Sequence, residues 1–385
     1  MLDLARRHTA ELQSDLADQA IDAVLLTDED SIAYYGGFWG YLGVEFGRPT
    51  LLLVPRDGAP TVITPRMEAD MVSAMTWIDD VRPWSDGGTD DWPHVLEGAL
   101  RELPPGTTLG WEARRNPLAV EDRVVEHFDR RTIRDVAPLV ARRRMIKSAE
   151  ELAIMRRGGV VASAMMQAVR DHLAVGVAEY EVAQAALAAG TRAAAGFLTD
   201  RGHDAFVSPV IHGLPILQSG PGTAMVHRRA SVRAIEHGDP VYLCCCNLVR
   251  FKQYRLGFDR EFFVGTASDD MAGAYETVVA AQQAALAAIR PGVPAEEVHF
   301  AADAVYREAG FEPGYRTGRA IGVSALEAPE LKPGDRTPLA AGMTFAVDGG
   351  LAVDGRFGCR IGDSVAVTDD GFEYLTEFPR ELTIV

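Results

Sequence analysis

The sequence predicts an α+β protein of two domains, a smaller α/β domain followed by a larger one in which helices pack on a mainly antiparallel sheet. The chain has 385 residues, which at about 150 residues per domain corresponds to roughly two domains. Hydrophobic residues make up 47% and charged residues 24%, as in ordinary globular proteins. Helical and strand patterns alternate in the first third, whereas the later strands are short and bounded by Gly, Asp and Pro.

The first domain begins with apolar residues at helical spacing over residues 4–20, followed by a buried strand over 21–27. Residues 50–54 and 61–64 read as a strand pair, because the turn sequence Pro-Arg-Asp-Gly lies between them. A helix over 95–103 and a strand over 108–112 continue the alternation. This order predicts an α/β layer.

A basic segment over residues 139–146 marks the expected boundary, so we assign the domains to residues 1–139 and 140–385. Ser148 and Glu151 then offer a capping box that opens a long helix. Further helices are predicted over 181–195, 271–289 and 295–309, and strands over 240–246, 257–265, 343–351 and 364–368.

The net charge and the cysteine content limit which partners and which cellular compartment are expected. The chain carries 38 basic and 55 acidic residues, a net charge of −17, and this field repels nucleic acid and anionic membranes. No signal-peptide pattern and no stretch of about 18 apolar residues is present. The four cysteines, residues 244–246 and Cys359, do not form a disulfide framework. We therefore expect a cytoplasmic protein with neither nucleic-acid nor membrane partners.

Several common catalytic fingerprints are missing from the sequence. It contains neither a P-loop, nor a strand followed by GxGxxG, nor HExxH, nor GxSxG. We expect no cofactor.

Motifs in the second half occur in an order typical of one superfamily. They are residues 144–151, 238–241, Gly322, 333–334, 342–343 and 360–365. With them the chain resembles the creatinase/prolidase/methionine aminopeptidase superfamily over nearly its whole length. The resemblance implies a creatinase-like N-terminal domain, a C-terminal pita-bread domain with helices on a curved antiparallel sheet, and a homodimer.

The resemblance also implies where metal ligands would lie. Peptidases of the superfamily hold two divalent ions through two Asp, one His and two Glu. Those positions fall on Cys244, Gly257, Arg319, Asp348 and Gly362. Because hard divalent ions need several anionic oxygens, we expect no metal and no metallopeptidase activity.

The polar residues that remain look like the metal-free branch, which includes creatinase and ectoine hydrolase. His227 lies eleven positions before Gly238, the offset of the catalytic histidine in creatinase. Asp259 and Asp348 fall where creatinase binds a guanidinium group. Phe46 and Arg48 resemble its substrate-contacting Phe-Gly-Arg segment, which reaches across the dimer.

A small zwitterionic substrate needs both signs of charge in its site. Asp259 and Asp348 would face its cationic C–N group, while Arg319, with Arg48 or Arg360, would grip its carboxylate. Arg228 either selects an anionic substrate or is surface charge. Imidazole suits proton transfer at neutral pH. The expected function is metal-independent hydrolysis of a non-peptide C–N bond in a guanidino or amidino acid, with His227 as general acid and base.

Two other functions stay open at this point. One is a lyase or cyclase step in small-molecule biosynthesis on the same scaffold. The other is a catalytically dead binding protein that kept the fold. An enzyme must bring its catalytic and binding side chains into one cavity, whereas a binding protein need not.

Overall fold

A computed structural model describes residues 1–40, 47–211, 216–245, 249–312, 314–353 and 355–385. It divides into two compact units, Met1–Arg143 and Arg144–Val385. The division falls inside a helix, Ala137–Met145, a few residues after the boundary that the basic segment predicts. The predicted fold class is confirmed, because the first unit is an α/β layer and the second combines helices with a large antiparallel sheet.

The first unit contains six strands and six helices among its described residues. The helices are α1 (Leu2–Asp18), α2 (Glu29–Gly36), α3 (Ala69–Met75), α4 (Trp92–Arg101), α5 (Leu118–His127) and α6 (Ala137–Met145). The strands are β1 (Ala23–Leu26), β2 (Leu51–Pro55), β3 (Thr61–Pro65), β4 (Asp80–Trp84), β5 (Leu109–Trp111) and β6 (Ile133–Asp135). They form one mixed sheet in the order β4-β3-β2-β1-β5-β6.

The predicted strand pair is the antiparallel pair of β2 and β3, in which Leu52 faces Val62. Strand β1 is buried along its whole length, as its unbroken apolar run predicts. Leu25, Leu53 and Ile63 lie in the core on one side of this sheet, packed with residues of α4 and α5. Burial of these side chains is the main force that holds the layer together.

The second unit is built on an eight-stranded antiparallel sheet in the order β13-β12-β14-β15-β11-β8-β7, with β16 paired to β15. Its helices are α7 (Ala149–His172), α8 (Glu179–Ala195), α9 (Asp269–Ala288) and α10 (Ala295–Glu308). The strands of this sheet are β7 (Ile216–Ser219), β8 (Pro240–Cys244), β11 (Asp259–Phe263), β12 (Gly318–Ala320), β13 (Glu327–Leu331), β14 (Thr344–Val353), β15 (Phe357–Val367) and β16 (Phe372–Tyr374), and β9 (Arg250–Phe251) and β10 (Tyr254–Arg255) form a separate hairpin.

Helix α7 begins at the predicted capping box. The Ser148 hydroxyl accepts a hydrogen bond from the backbone N–H of Glu151, and the Glu151 carboxylate accepts one from the N–H of Ser148 at 2.7 Å. This arrangement satisfies two backbone donors that the helix itself leaves free.

The two faces of the large sheet have different chemistry. Phe345 and Val347 of β14 and Ile361 of β15 point into the apolar core formed with α9 and α10. Their neighbours in sequence point to the opposite face, because side chains alternate along a strand. Asp348 and Arg360 lie on that opposite face.

A buried ion pair braces the centre of this sheet. Arg260 donates to Asp363 Oδ1 at 2.8 Å and also to the backbone carbonyls of Asp259 and Gly362. Both charged side chains are almost fully buried. Burying such a pair costs desolvation free energy, but removing one partner would leave an unpaired buried charge and destabilise the fold strongly. The pair therefore fixes the position of β11 relative to β15.

Among the described residues, no helix combines the length and the apolar composition that crossing a bilayer would require.

Candidate active site

A cavity of about 430 Å³ opens on the polar face of the large sheet. Six of the residues that line it carry the predicted chemistry or occupy a predicted ligand position, namely His227, Cys244, Asp259, Arg319, Asp348 and Arg360. The structure therefore brings together the three predicted catalytic residues and two of the predicted substrate-binding arginines.

Strand register explains why these residues meet. In the antiparallel ladders Cys244 lies opposite Asp259, Asp259 opposite Gly362, and Gly362 opposite Asp348. Residues opposite one another share a face of the sheet, so these four positions form one row across β8, β11, β15 and β14. Arg360 stands two residues before Gly362 on β15 and thus joins the same face.

Asp259 is a buried carboxyl group beside a second one. Burial and, to a smaller extent, the charge of Asp348 raise its pKa to about 6, while a Cys244 hydrogen bond and the nearby Arg319 oppose the shift. The glycine at position 362 leaves room for this pair, because an added Cβ there would lie 2.8 Å from Asp259 Oδ2. Asp259 can therefore hold or release a proton near neutral pH.

The two arginines differ in how they are held. Arg319 donates through Nη1 to Asp348 and through Nε to the Ala325 carbonyl at 3.0 Å, so its guanidinium group is fixed beside a carboxylate. Arg360 Nε is buried and has no hydrogen-bond partner among the described residues. Since an unpaired buried donor costs free energy, Arg360 is suited to receive an oxygen of a bound molecule.

His227 lies at the mouth of the cavity. Its side chain is exposed, and its backbone carbonyl accepts a hydrogen bond from Arg229 Nη1 at 2.6 Å. An exposed imidazole at the rim can exchange protons with solvent and with a bound molecule.

The remaining predicted residues lie elsewhere. Arg228 donates to the buried Glu179 carboxylate at 2.9 Å and does not line the cavity. Arg48 belongs to the first unit, where it pairs with Asp86 and lines a separate cavity of about 170 Å³. Phe46 lies outside the described residues. Neither Arg228 nor Arg48 is among the residues that line the active-site cavity.

Glu261, which lies two residues after Asp259 on β11, is not among the site residues predicted from the sequence. Its side chain is 1% exposed, and Oε2 accepts a hydrogen bond from the Arg360 backbone N–H at 3.0 Å. Burial raises its pKa to about 8, although the Arg360 contacts oppose this shift. The sequence does contain a signal for Glu261: two acidic residues, Asp259 and Glu261, stand at alternate positions of one apolar strand. Side chains at alternate positions of a strand lie on the same face of the sheet.

Comparison with known families matches both units. Residues 9–146 match the creatinase/prolidase N-terminal domain, and residues 153–369 match metallopeptidase family M24. The second match spans more than half of the chain. The chain belongs to metallopeptidase family M24.

Individual M24 relatives carry two kinds of name. The agropine synthesis cyclase of Rhizobium rhizogenes is 29% identical over 95% of this chain and 94% of its own. The probable dipeptidase PepE of Mycobacterium bovis is 30% identical over 98% of this chain and 96% of its own. Among solved structures, the recombinant prolidase of Thermococcus sibiricus covers 100% of both chains with a TM-score of 0.86 and 25% identity.

These relatives correct the predicted activity. The chain was expected to be a metal-independent hydrolase of a non-peptide C–N bond, similar to creatinase or ectoine hydrolase and outside the metallopeptidases. That expectation is wrong, because the family is a metallopeptidase family and the relatives are named as a cyclase, a probable dipeptidase and a prolidase. Spacing around one histidine was too little to assign a branch, since one scaffold supports several chemistries.

The donor set of this M24 chain does not fit a pair of divalent ions. Within the described residues, no group of three or more His, Cys, Asp or Glu side chains is placed to hold a metal. At the expected ligand positions, Gly257 and Gly362 offer no side-chain donor, and Arg319 places a permanent cation against Asp348. Cys244 and Asp348 alone do not supply the anionic oxygens that hard ions require.

Proposed function

We propose that the chain is a cyclase that closes a ring within a small, polar, carboxylate-bearing molecule. The observation that carries this proposal is the row of Asp259, Gly362 and Asp348 flanked by Arg319 and Arg360 in one cavity. The full-length similarity to the agropine synthesis cyclase supports it.

The charges of the cavity suit a substrate with a carboxylate. Arg360 would bind that carboxylate through its unpaired Nε, since guanidinium–carboxylate hydrogen bonds are among the strongest in proteins. Arg319 and Asp348 hold each other, so they present a fixed dipole rather than a free charge. A volume of about 430 Å³ falls in the range of small-molecule sites.

Ring closure needs a proton donor more than an activated water. A hydroxyl or amine of the substrate attacks its own carboxyl carbon, so a C–O or C–N bond forms and one carboxyl C–O bond breaks. Asp259 gives its proton to the departing oxygen, and His227 carries the proton of the nucleophile to that same oxygen, so water leaves. Solvent then reprotonates Asp259. With its pKa near 6, Asp259 is partly protonated at neutral pH.

The side chains of the cavity suit ring closure better than attack by external water. In ring closure the nucleophile is part of the bound substrate, and holding it near the carboxyl carbon supplies an effective concentration of about 10⁵ M or more. The protein then has to orient one molecule and transfer protons, which are tasks that Arg360, Asp259 and His227 can perform.

The test is a screen of the full chain with L-homoserine, which closes to a lactone, and L-glutamate, which closes to a lactam. Mass spectrometry detects ring closure directly, because the product is lighter than the substrate by one water. We expect a dehydrated product from at least one substrate, with at least about a 10²-fold loss in Asp259→Asn. Asp370→Asn, an exposed change away from the cavity, is the matched control. If neither substrate gave a dehydrated product, the cyclase proposal would fail.

A dipeptidase is the second candidate, because the probable dipeptidase PepE is 30% identical over nearly the whole chain. The same preparation is assayed with glycyl-proline and added Mn²⁺. Hydrolysis that depends on the bound ion would establish the dipeptidase and overturn the cyclase.

We further propose a cytoplasmic homodimer acting on a small molecule. Light scattering coupled to size-exclusion chromatography measures the oligomeric state, and a monomer at micromolar concentration would contradict the dimer.

A further inference from the structure

A second cavity, of about 680 Å³, lies in the second unit where the C-terminal segment passes α7 and α9. We call it the Arg380 cleft. It is lined by Gln167 and Arg170 of α7, Gln283 of α9, Tyr374 of β16 and residues 377–381. It shares no lining residue with the candidate active site.

Arg380 is held by contacts of its own guanidinium group and keeps one buried nitrogen without a hydrogen-bond partner among the described residues. Its Nε donates to Asp363 Oδ2 at 3.0 Å, and its guanidinium carbon lies 3.9 Å from the centroid of the Tyr374 ring. Nη2 is buried and has no hydrogen-bond partner among the described residues. A buried guanidinium N–H without a partner is costly unless a ligand oxygen accepts it.

Arg170 adds a second positive charge to the Arg380 cleft. Its side chain is exposed, and it joins no ion pair among the residues that the structure describes. Two guanidinium groups at one cleft, one of them pre-positioned by its own contacts, are suited to bind a carboxylate.

Negative charge and apolar surface lie in the same cleft. Glu377 and Glu381 are exposed lining residues, and within the described chain neither carboxylate forms an ion pair. Phe378 and Pro379 provide apolar surface beside them. A ligand that satisfies every part of this lining carries a carboxylate, an ammonium group and an apolar side chain.

The net charge of the protein further limits which ligands suit the Arg380 cleft. A field of −17 repels free polyanions at a distance, whereas a zwitterion has no net charge to be repelled. Charges more than about 8 Å from a ligand are largely screened at physiological salt, so the charged side chains that line the cleft act on a bound ligand more strongly than the net charge does. These considerations favour a zwitterion over inorganic phosphate.

We infer that the Arg380 cleft binds an apolar α-amino acid as its zwitterion, with the carboxylate on Arg380 and Arg170 and the ammonium on Glu377 and Glu381. This site is separate from the proposed reaction, because it uses none of the residues placed in the active-site cavity.

The experiment is calorimetric titration of the full chain with three probes. L-phenylalanine carries both charges, N-acetyl-L-phenylalanine lacks the ammonium group, and phenethylamine lacks the carboxylate. We expect L-phenylalanine to bind and each truncated probe to bind at least about tenfold more weakly, since each loses one set of charge-assisted hydrogen bonds. Equal affinity for all three, or no heat with L-phenylalanine at about 10 mM, would overturn the inference.

Variants locate the binding. Arg170→Gln changes an exposed side chain and should fold normally, yet weaken L-phenylalanine binding at least about tenfold. Arg192→Gln, an exposed arginine on α8 outside the cleft, is the matched control and should bind as the wild type does. Arg360→Gln alters the active-site cavity instead. Loss of binding in Arg360→Gln with no change in Arg170→Gln would place the amino acid in the active site and reject the cleft.

Discussion

Replacing Glu261 by glutamine is expected to remove a large pH-dependent cost from the stability of the second unit. Glu261 is buried on β11, with Oε2 bound to the Arg360 backbone N–H at 3.0 Å and Oε1 without a partner among the described residues. Glutamine keeps the size and the accepting oxygen but removes the ionisable group. The variant therefore resembles the protonated form of the wild type at every pH.

The size of the effect follows from the difference between the folded and unfolded pKa of Glu261. Burial raises that pKa from 4.5 to about 8. The folded state then binds the proton more tightly, so this contribution to stability is fully present below pH 4.5 and is lost as the pH rises through 8. At 1.36 kcal/mol per pH unit, the loss is about 3 kcal/mol by pH 7 and about 5 kcal/mol above pH 8.

The measurement is urea unfolding of wild type and Glu261→Gln at about pH 5, 7 and 9. Far-UV circular dichroism is the better signal, because all five tryptophans lie in the first unit. We expect the stability difference in favour of the variant to grow by about 4 kcal/mol from pH 5 to pH 9. Glu276→Gln, an exposed change on α9, should show no comparable trend. A difference that stays constant to within about 1 kcal/mol would refute the reasoning from burial.

Three further outcomes are expected. In Asp259→Asn, turnover on the cyclisation substrate should fall at least about 10²-fold. The wild-type kcat should decline as the pH rises through 6, because Asp259 loses its proton near this pH. A flat pH–rate profile would contradict this role. Arg360→Gln should raise KM at least about tenfold while the fold is kept, and an unchanged KM would show that the carboxylate binds elsewhere. Gly159→Ala should lower the free energy of unfolding by about 1–3 kcal/mol, because its new Cβ would lie 1.6 Å from the Leu375 carbonyl oxygen; wild-type stability in urea would show that α7 can shift at little cost.

Much of the fold could be predicted because its signals are local. The capping box at Ser148 and Glu151 needs only a four-residue pattern, and it opens α7 as predicted. Strands β2 and β3 follow from two apolar runs around a turn. The curved sheet of the second unit came from the family resemblance, since register between distant strands is not encoded in any short segment.

The candidate site could be predicted only in part. Asp259, Asp348 and Arg360 meet in one cavity as expected. Arg228 instead pairs with Glu179 on α8, which is distant from it in the sequence. An ion pair between residues so far apart cannot be predicted from the local sequence. The reaction was the least predictable feature, because it depends on which donors surround a substrate rather than on the fold.

Gly362 offers the sharpest test of how this cavity is built. The resemblance to the peptidases of the superfamily implies a metal-binding glutamate at this position, and the glycine found there lies opposite both Asp259 and Asp348. A Cβ added to Gly362 would lie 2.8 Å from Asp259 Oδ2 and 3.1 Å from the Cβ of Asp348. The site therefore accommodates its two aspartates only because position 362 has no side chain.

Gly362→Ala should displace Asp259 and impair both function and stability. We expect a loss of about 1–3 kcal/mol in the free energy of unfolding from overpacking and a fall in turnover approaching 10²-fold, which is roughly what an ångström of misplacement costs. Gly273→Ala is the matched control, because its Cβ would meet nothing within 4 Å and alanine favours a helix such as α9 by about 0.5–1 kcal/mol. If Gly362→Ala kept wild-type turnover and stability, the two aspartates would not depend on this glycine. The geometry of the candidate active site would then not depend on the missing side chain at position 362.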